Sequence, residues 1–254
     1  MNEDKWLTAI SDIGPGRIRV RGYDIVEMMG KLSFAQSIYL VLRGELPDEK
    51  ETRMMDAILI SSIDHGVSPP SILGALNTVS SGNPLNAAVA AGVLAIGDTH
   101  GGAIEQSARI LQEWVAKKGD IDQIAVELVS DLCVNNNRMP GLGHLLHKTD
   151  PRTVKLFELA DELEFSGRHT ALAKAIEKEF EKVKGKKLPI NIDGAIAAVI
   201  SDMGFDWRIG KGFFIMSRVP GMIAHAYEEM TTQKPLRNLS NPNYEYTGPA
   251  DRDI

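Results

Sequence analysis

The sequence predicts an all-α fold, on three observations. Apolar residues recur at i, i+3, i+4 and i+7 along most of the chain, few segments alternate with a period of two, and capping residues flank the periodic runs. Ser33 is placed to cap a helix over 34–42, and Gly44 supplies its stop. Asp48 opens a second helix to about residue 63. Pro69 and Pro70 suit the first turn of a third, where a proline gives up no needed hydrogen bond. Pro84 starts an alanine-rich helix over 86–96, apolar all round and therefore expected at the centre of the molecule or at a subunit interface. Further helices are expected at about 102–117, 121–136, 151–164, 168–184, 191–203, 207–217 and 220–230. The one expected hairpin lies near 18–20.

Bulk properties narrow the function classes. The 254 residues are 43% hydrophobic and 24% charged, ordinary for a globular chain with a real core. A net charge of −6 excludes a basic, nucleic-acid-coating protein, so anions would be held only by local clusters of Arg and His. The single cysteine, Cys133, forbids an internal disulfide and reads as a small buried side chain rather than a nucleophile. Residues 1–5 are charged and lack the apolar core of a signal peptide. The longest apolar run, near 87–96, is about half a membrane span. The expectation is a soluble, cytoplasmic protein with no nucleic acid or membrane partner.

The domain organisation expected is a large helical domain of residues 1–143 and 191–233, a small mobile helical lobe at 144–190, and a C-terminal strap at 234–254. The strap is polar and carries Tyr244 and Tyr246, which suit it to lie across a surface of a partner subunit. With the small-sided helix at 86–96, this points to a homodimer or higher homo-oligomer.

Five short clusters set a titratable or cationic side chain beside a glycine at a helix edge. They are Asp64-His65-Gly66, Asp98-Thr99-His100-Gly101-Gly102, Gly141-Leu142-Gly143-His144 running to Asp150-Pro151-Arg152, Asn191-Ile192-Asp193-Gly194, and Ser217-Arg218-Val219-Pro220-Gly221 with His225 after it. Glycine lets a ligand or a second backbone approach closely, and helix ends leave backbone groups free to meet an anion. Plainer uses stand beside these. His65 can cap a helix C-terminus, Asp193 can cap an N-terminus, His147 and His169 read as surface or loop residues, and His225 as a supporting residue. His144 and His147 are the only closely spaced histidines, with no Cys nearby and a single carboxylate, Asp150, three residues on, too sparse a ligand set for a metal site to be expected. There is no phosphate-binding Gly-Lys-Ser/Thr loop, no G-x-G-x-x-G and no G-x-S-x-G.

At these clusters, and from Arg21-Gly22-Tyr23-Asp24-Ile25 through to Tyr246-Thr247-Gly248-Pro249, the sequence resembles the citrate synthase superfamily. It looks most like the short members related to citryl-CoA lyase and to the C-terminal module of ATP-citrate lyase. The resemblance implies a citrate-synthase-like helical fold with His100, His144 and Asp193 as catalytic residues. His100 would hold the acyl-CoA carbonyl, His144 would exchange a proton with the oxo-acid oxygen, and Asp193 would move the proton on the acyl α-carbon. His65, Arg152, Arg218 and Arg237 would bind the di- or tricarboxylate, Arg237 from the second subunit. The implied substrates are an acyl-CoA and a 2-oxo dicarboxylate or a tricarboxylate, with coenzyme A thioester as substrate and no tightly bound cofactor or metal.

Elementary chemistry agrees. An α-proton of a thioester is weakly acidic, so its base needs a donor fixed at the developing enolate oxygen. A neutral imidazole at a helix start is such a donor, and burial at the start of an apolar helix raises a carboxylate toward working pH. Two departures stand out: the chain is shorter than full-length citrate synthases, without their long N-terminal helical region, and Leu145 follows His144 where the family often has arginine or proline. Together with the lyase-like Ser62-Ile63-Asp64-His65-Gly66 cluster, they favour cleavage of a citryl-CoA-like thioester. The alternatives are a citrate or 2-methylcitrate synthase, a lyase for a substituted acyl-CoA, and a non-catalytic CoA- or tricarboxylate-binding module.

Overall fold

The structure is a computed structural model that describes residues 5–143, 150–237 and 247. It is helical apart from a small antiparallel sheet, β1 (Ser11–Gly14), β2 (Arg17–Val20) and β3 (Tyr23–Asp24), in the order β1-β2-β3. The sheet realises the hairpin expected near 18–20. Arg21 and Gly22 both have positive φ (51° and 87°), the pair that a tight, right-twisting hairpin requires. Arg21 then donates from Nε and Nη2 to Val41 O at 3.1 and 2.8 Å, pinning the sheet to the end of a helix.

That helix is α2 (Phe34–Arg43), preceded by a single turn, α1 (Ile25–Met28). Ser33 caps α2 in a reciprocal box with Gln36, and Gly44 ends it in the left-handed region. The order continues α3 (Glu49–Ser61), α4 (Pro70–Ser80), α5 (Leu85–Leu94), α6 (Ala103–Val115), α7 (Ile121–Val134), α8 (Pro151–Glu162), α9 (Arg168–Lys184), α10 (Ile192–Asp202) and α11 (Gly210–Thr232), with a 3₁₀ turn at Trp207–Ile209. The expected boundaries hold to within a few residues except at the last helix. Two helices divided near Pro220 were expected; one runs through it. A proline fixes φ at a helical value and removes one donor, a cost of about 3 kcal/mol. Burial of Phe213 and Phe214 before it and Met222 and Ala226 after it outweighs that loss.

The chain divides into two compact units: Met1–Asp64 with Ile96–Pro220, and His65–Ala95 with Gly221–Ile254.

In the first unit α10 packs against α6, α8 and α9, and α7 packs against α9. Residues from Gly194 to Ser201 are all buried, so α10 is apolar on every side because neighbours surround it. In the second unit α4 packs on α5, and Ala75, Val79, Ala88 and Ala226 form a small cluster edged by Leu85. The helices meet closely at Gly92, where an added Cβ would stand 2.7 Å from Ser71 O.

One burial expectation is narrowed and another needs correction. Helix α5 is not at the centre of the chain: only Ala88 and Gly92 are buried, and Leu94 is 85% exposed, because only one face of α5 is covered. Cys133 is half-buried rather than buried, since it lies in the last turn of α7 beside the stripe Ile124, Leu128 and Leu132. No described helix is long and apolar enough to cross a membrane.

Candidate active site

Four of the sequence-derived site residues, His100, Arg152, Asp193 and Arg218, belong to the first unit: Arg218 acts electrostatically on His100 and Asp193, and Arg152 on Asp193 and Arg218. Their positions follow from helix ends. The last turn of α3 exposes carbonyls that no further turn satisfies. Arg152 Nη1, from α8, donates to Ser61 O at 3.3 Å, and Arg218 Nε, from α11, donates to Ser62 O at 2.9 Å. Ser217 Oγ donates to Leu59 O. Cations are favoured at a helix C-terminus, so the end of α3 gathers both guanidinium groups.

Arg218 is 3% exposed, and its Nη1 has no hydrogen-bond partner among the described residues. Burial pulls its pKa down, while the charges of Asp64 and Asp193 push it up. A buried guanidinium with an unused donor is a poised carboxylate site. Arg152 is engaged more fully: Asp150, 1% exposed, takes its Nε and Nη2 in a fork at 3.1 and 2.8 Å.

Asp193 stands in the first turn of α10. It is not the cap: Asn191 is, accepting at Oδ1 from Asp193 N (3.0 Å) and Gly194 N (3.2 Å). That frees the Asp193 carboxylate for other work. Burial pushes its pKa up to about 6 against the opposing charges of Arg152 and Arg218, with Asp150 adding to the rise.

The loop at 141–143 is stapled to the same helix start. Gly143 N donates to Pro189 O at 2.7 Å, Asn191 Nδ2 donates to Gly143 O at 2.9 Å, and Asn191 N donates to Gly141 O at 2.9 Å. Gly141 (φ 81°) and Gly194 approach so closely that a Cβ on Gly141 would lie 2.5 Å from Gly194 Cα. His144 and His147 lie outside the described residues, as do Tyr244 and Tyr246.

His100 sits in a tight loop two residues before Gly102, the N-cap of α6. Its N–H donates to Gly97 O, and its carbonyl accepts from Gly97 N, both at 3.0 Å. Its ring meets Phe214 edge-on at 5.4 Å, and the Arg218 guanidinium lies 4.8 Å over the same Phe214 ring. The imidazole pKa is lowered, first by burial and then by the Arg218 charge. The neutral form expected from the sequence is thus favoured by desolvation and a neighbouring cation. Gly101, at φ 80°, leaves room for Phe214, since a Cβ there would meet the ring at 2.5 Å.

His65 and Arg237 lie in the second unit with His225. Arg237 is held within that unit: its Nε and Nη2 fork onto Glu229, 4% exposed, and its N–H donates to Ser80 Oγ at 2.8 Å. His169, expected at the surface or in a loop, is instead half-buried in the first turn of α9, with Nδ1 2.8 Å from Asp202 Oδ1. Among the described residues no group of three His, Cys, Asp or Glu side chains is arranged to hold a metal ion.

Sequence reasoning named Asp150 in a cluster without giving it a role, and passed over Phe214. Both were within reach: Asp before Pro at a helix start marks an N-cap, and Phe214 precedes Arg218 by four residues, on the same helix face. Beside the stapled loop lies a cleft of about 560 Å³ lined by Arg138, Leu142, Lys184 and Lys186 among others.

The described fold is helical and holds a raised carboxylate, an imidazole held toward its neutral form and two arginines seated on adjacent carbonyls. Residues 46–239 match the model of the citrate synthase C-terminal domain, and the chain belongs to the citrate synthase family. It is 48% identical to citryl-CoA lyase from Hydrogenobacter thermophilus, with a TM-score of 0.91 over 98% of this chain and 97% of that one. It is 31% identical to the citrate synthase of Haloferax volcanii over 92% of its own length, but spans only 60% of that protein. ATP citrate lyase from Methanothrix soehngenii shares the fold, with a TM-score of 0.84 at 21% identity over 99% of this chain and 43% of that one.

Proposed function

We propose that the protein is a citryl-CoA lyase-type enzyme, cleaving or forming the carbon–carbon bond between an acetyl-CoA unit and oxaloacetate. The observation that carries this reading is Asp193: a carboxylate lifted to about 6 by burial, in one unit with a neutral His100 and with Arg152 and Arg218. The high identity to a citryl-CoA lyase across nearly the whole of both chains favours cleavage over the synthases, of which this chain spans little more than half.

In cleavage, His144 takes the hydroxyl proton of citryl-CoA as the bond to the acetyl carbon breaks, and oxaloacetate leaves as the ketone. His100 donates to the thioester enolate oxygen, and Asp193, protonated, delivers its proton to the α-carbon. Condensation is the same path reversed. Arg218, with a donor unmatched among the described residues, takes one substrate carboxylate, assisted by Arg152. The cationic cleft of Arg138, Lys184 and Lys186 suits the phosphates of coenzyme A. A lobe at 144–190 that closes over the site would exclude water and so protect the enolate.

The exposed apolar groove of Leu85, Val89, Val93, Leu94 and Ile223, about 680 Å³, supports a homodimer built on α5. In that dimer Arg237 and the strap at 234–254 would reach the partner's site. Light scattering at micromolar concentration tests this; a fully active monomer refutes it.

The function is tested by giving the full chain citryl-CoA and measuring oxaloacetate and acetyl-CoA. Both are expected in equal amounts. Prompt release of free CoA thiol from oxaloacetate and acetyl-CoA would overturn the lyase reading in favour of a synthase.

A further inference from the structure

We propose that Asp150 is a positioning residue for this site: by holding one edge of the Arg152 guanidinium it fixes the group's orientation and offsets the positive charge that Arg152 sets beside Asp193. The inference rests on the reading of Arg152 as a carboxylate-binding group and deepens it. Three observations carry it. Asp150 is 1% exposed, so its charge acts at full strength within the protein rather than being screened by solvent. It grips Arg152 in a planar fork, Nε to Oδ1 at 3.1 Å and Nη2 to Oδ2 at 2.8 Å. The third restraint, Arg152 Nη1 to Ser61 O at 3.3 Å, comes from the opposite side of the guanidinium. With these bonds made, only the remaining donors of Nη1 and Nη2 are left for a ligand, so Arg152 meets a substrate carboxylate end-on rather than by the usual side-on fork.

Asp150 also caps α8, accepting from Arg152 N at 3.0 Å, and this is the purely structural role it has to be separated from. Among the described residues, the charged groups that act on Asp193 are Arg152 and Arg218, which lower its pKa, and Asp150, which raises it. Removing the Asp150 charge both deletes that rise and leaves Arg152 uncompensated, so both effects favour ionisation of Asp193.

Asp150→Asn keeps a capping side chain and removes the charge. Carboxyl-carbon NMR of the ligand-free full chain then follows the titration of Asp193 directly. The expected result is an increase of about tenfold or more in its acid dissociation constant. In turnover, the acidic limb of the kcat profile moves to lower pH, and KM for oxaloacetate changes separately from kcat. An unmoved Asp193 titration, with only a lower melting temperature, would reduce Asp150 to a helix cap and overturn the inference. Asp150→Ser, which also caps, gives the same readout should the Asn variant fold poorly. If Asp193 shifts as expected but the unmodified protein cleaves no citryl-CoA, the proposed reaction fails while the positioning role stands.

Discussion

Helix α10 carries an aspartate near each end, and the two behave oppositely to what the helix itself would impose. The macrodipole favours a carboxylate at the N-terminus and disfavours one at the C-terminus. Yet Asp193, in the first turn, has its pKa raised to about 6, while Asp202, the last residue, has its pKa lowered. Burial opposes the charge at both sites. At Asp202 hydrogen bonds win: it accepts from Gly167 N (2.9 Å), His169 N (3.0 Å) and Thr170 N (2.9 Å), capping α9, and its Oδ1 meets His169 Nδ1. At Asp193 the N-terminal donors have been given to Asn191 instead, and desolvation wins. One end of α10 is built for stability and the other holds a charge at a cost, as a working site does.

The contrast is broken or sharpened by variants at each end. Asp193→Asn has the largest expected effect: kcat falls by about 10²–10⁴-fold, the usual contribution of a general acid or base. The same variant gains stability at pH 8. Because the folded pKa of Asp193 lies above its unfolded value near 3.9, its charge destabilises the fold above pH 6, and the penalty fades as pH falls toward 4. The gain is about 1–3 kcal/mol by urea denaturation at pH 8 and is absent at pH 4. A stability loss at pH 8 would show Asp193 to be structural.

Asp202→Ala is expected to cost about 2–4 kcal/mol, since it orphans the donors at the start of α9. For Asp202 the sign is reversed: its lowered folded pKa stabilises the protein above the unfolded value near 3.9, and that stability is lost as pH drops through the folded pKa. Acid unfolding of the Ala variant should therefore be shallower below pH 4. Asn191→Ala comes next, at about 1–2 kcal/mol by the same measurement, with lower activity because Gly143 is untied as well. His169→Ala is the smallest, about 0.5–1.5 kcal/mol, since the three backbone donors to Asp202 remain. It should leave kcat unchanged.

Much of this was legible in the sequence. Helix caps at Ser33 and Asp48 are local chemistry, and each stands where its side chain bonds the backbone of its own helix. The glycine clusters pointed to His100, Asp193, Arg152 and Arg218; in the structure Arg218 acts on His100 and Asp193, and Arg152 on Asp193 and Arg218. What stayed hidden depends on distant neighbours. The pairing of His169 with Asp202 spans 33 residues, and the seating of Arg152 on Ser61 spans 91. The all-round apolar character of α5 and α10 is alike in sequence, but α10 is enclosed and α5 is not. Composition reports how much surface wants cover, not whether the cover comes from the same chain.

Two guanidinium groups rest on consecutive carbonyls, Ser61 and Ser62, at the end of α3. They share a mount, so they cannot drift independently. Any change that lengthens, frays or tilts the last turn of α3 moves both guanidinium groups in concert, and under the proposed carboxylate-binding role a substitution there should surface as a change in substrate affinity rather than in chemistry.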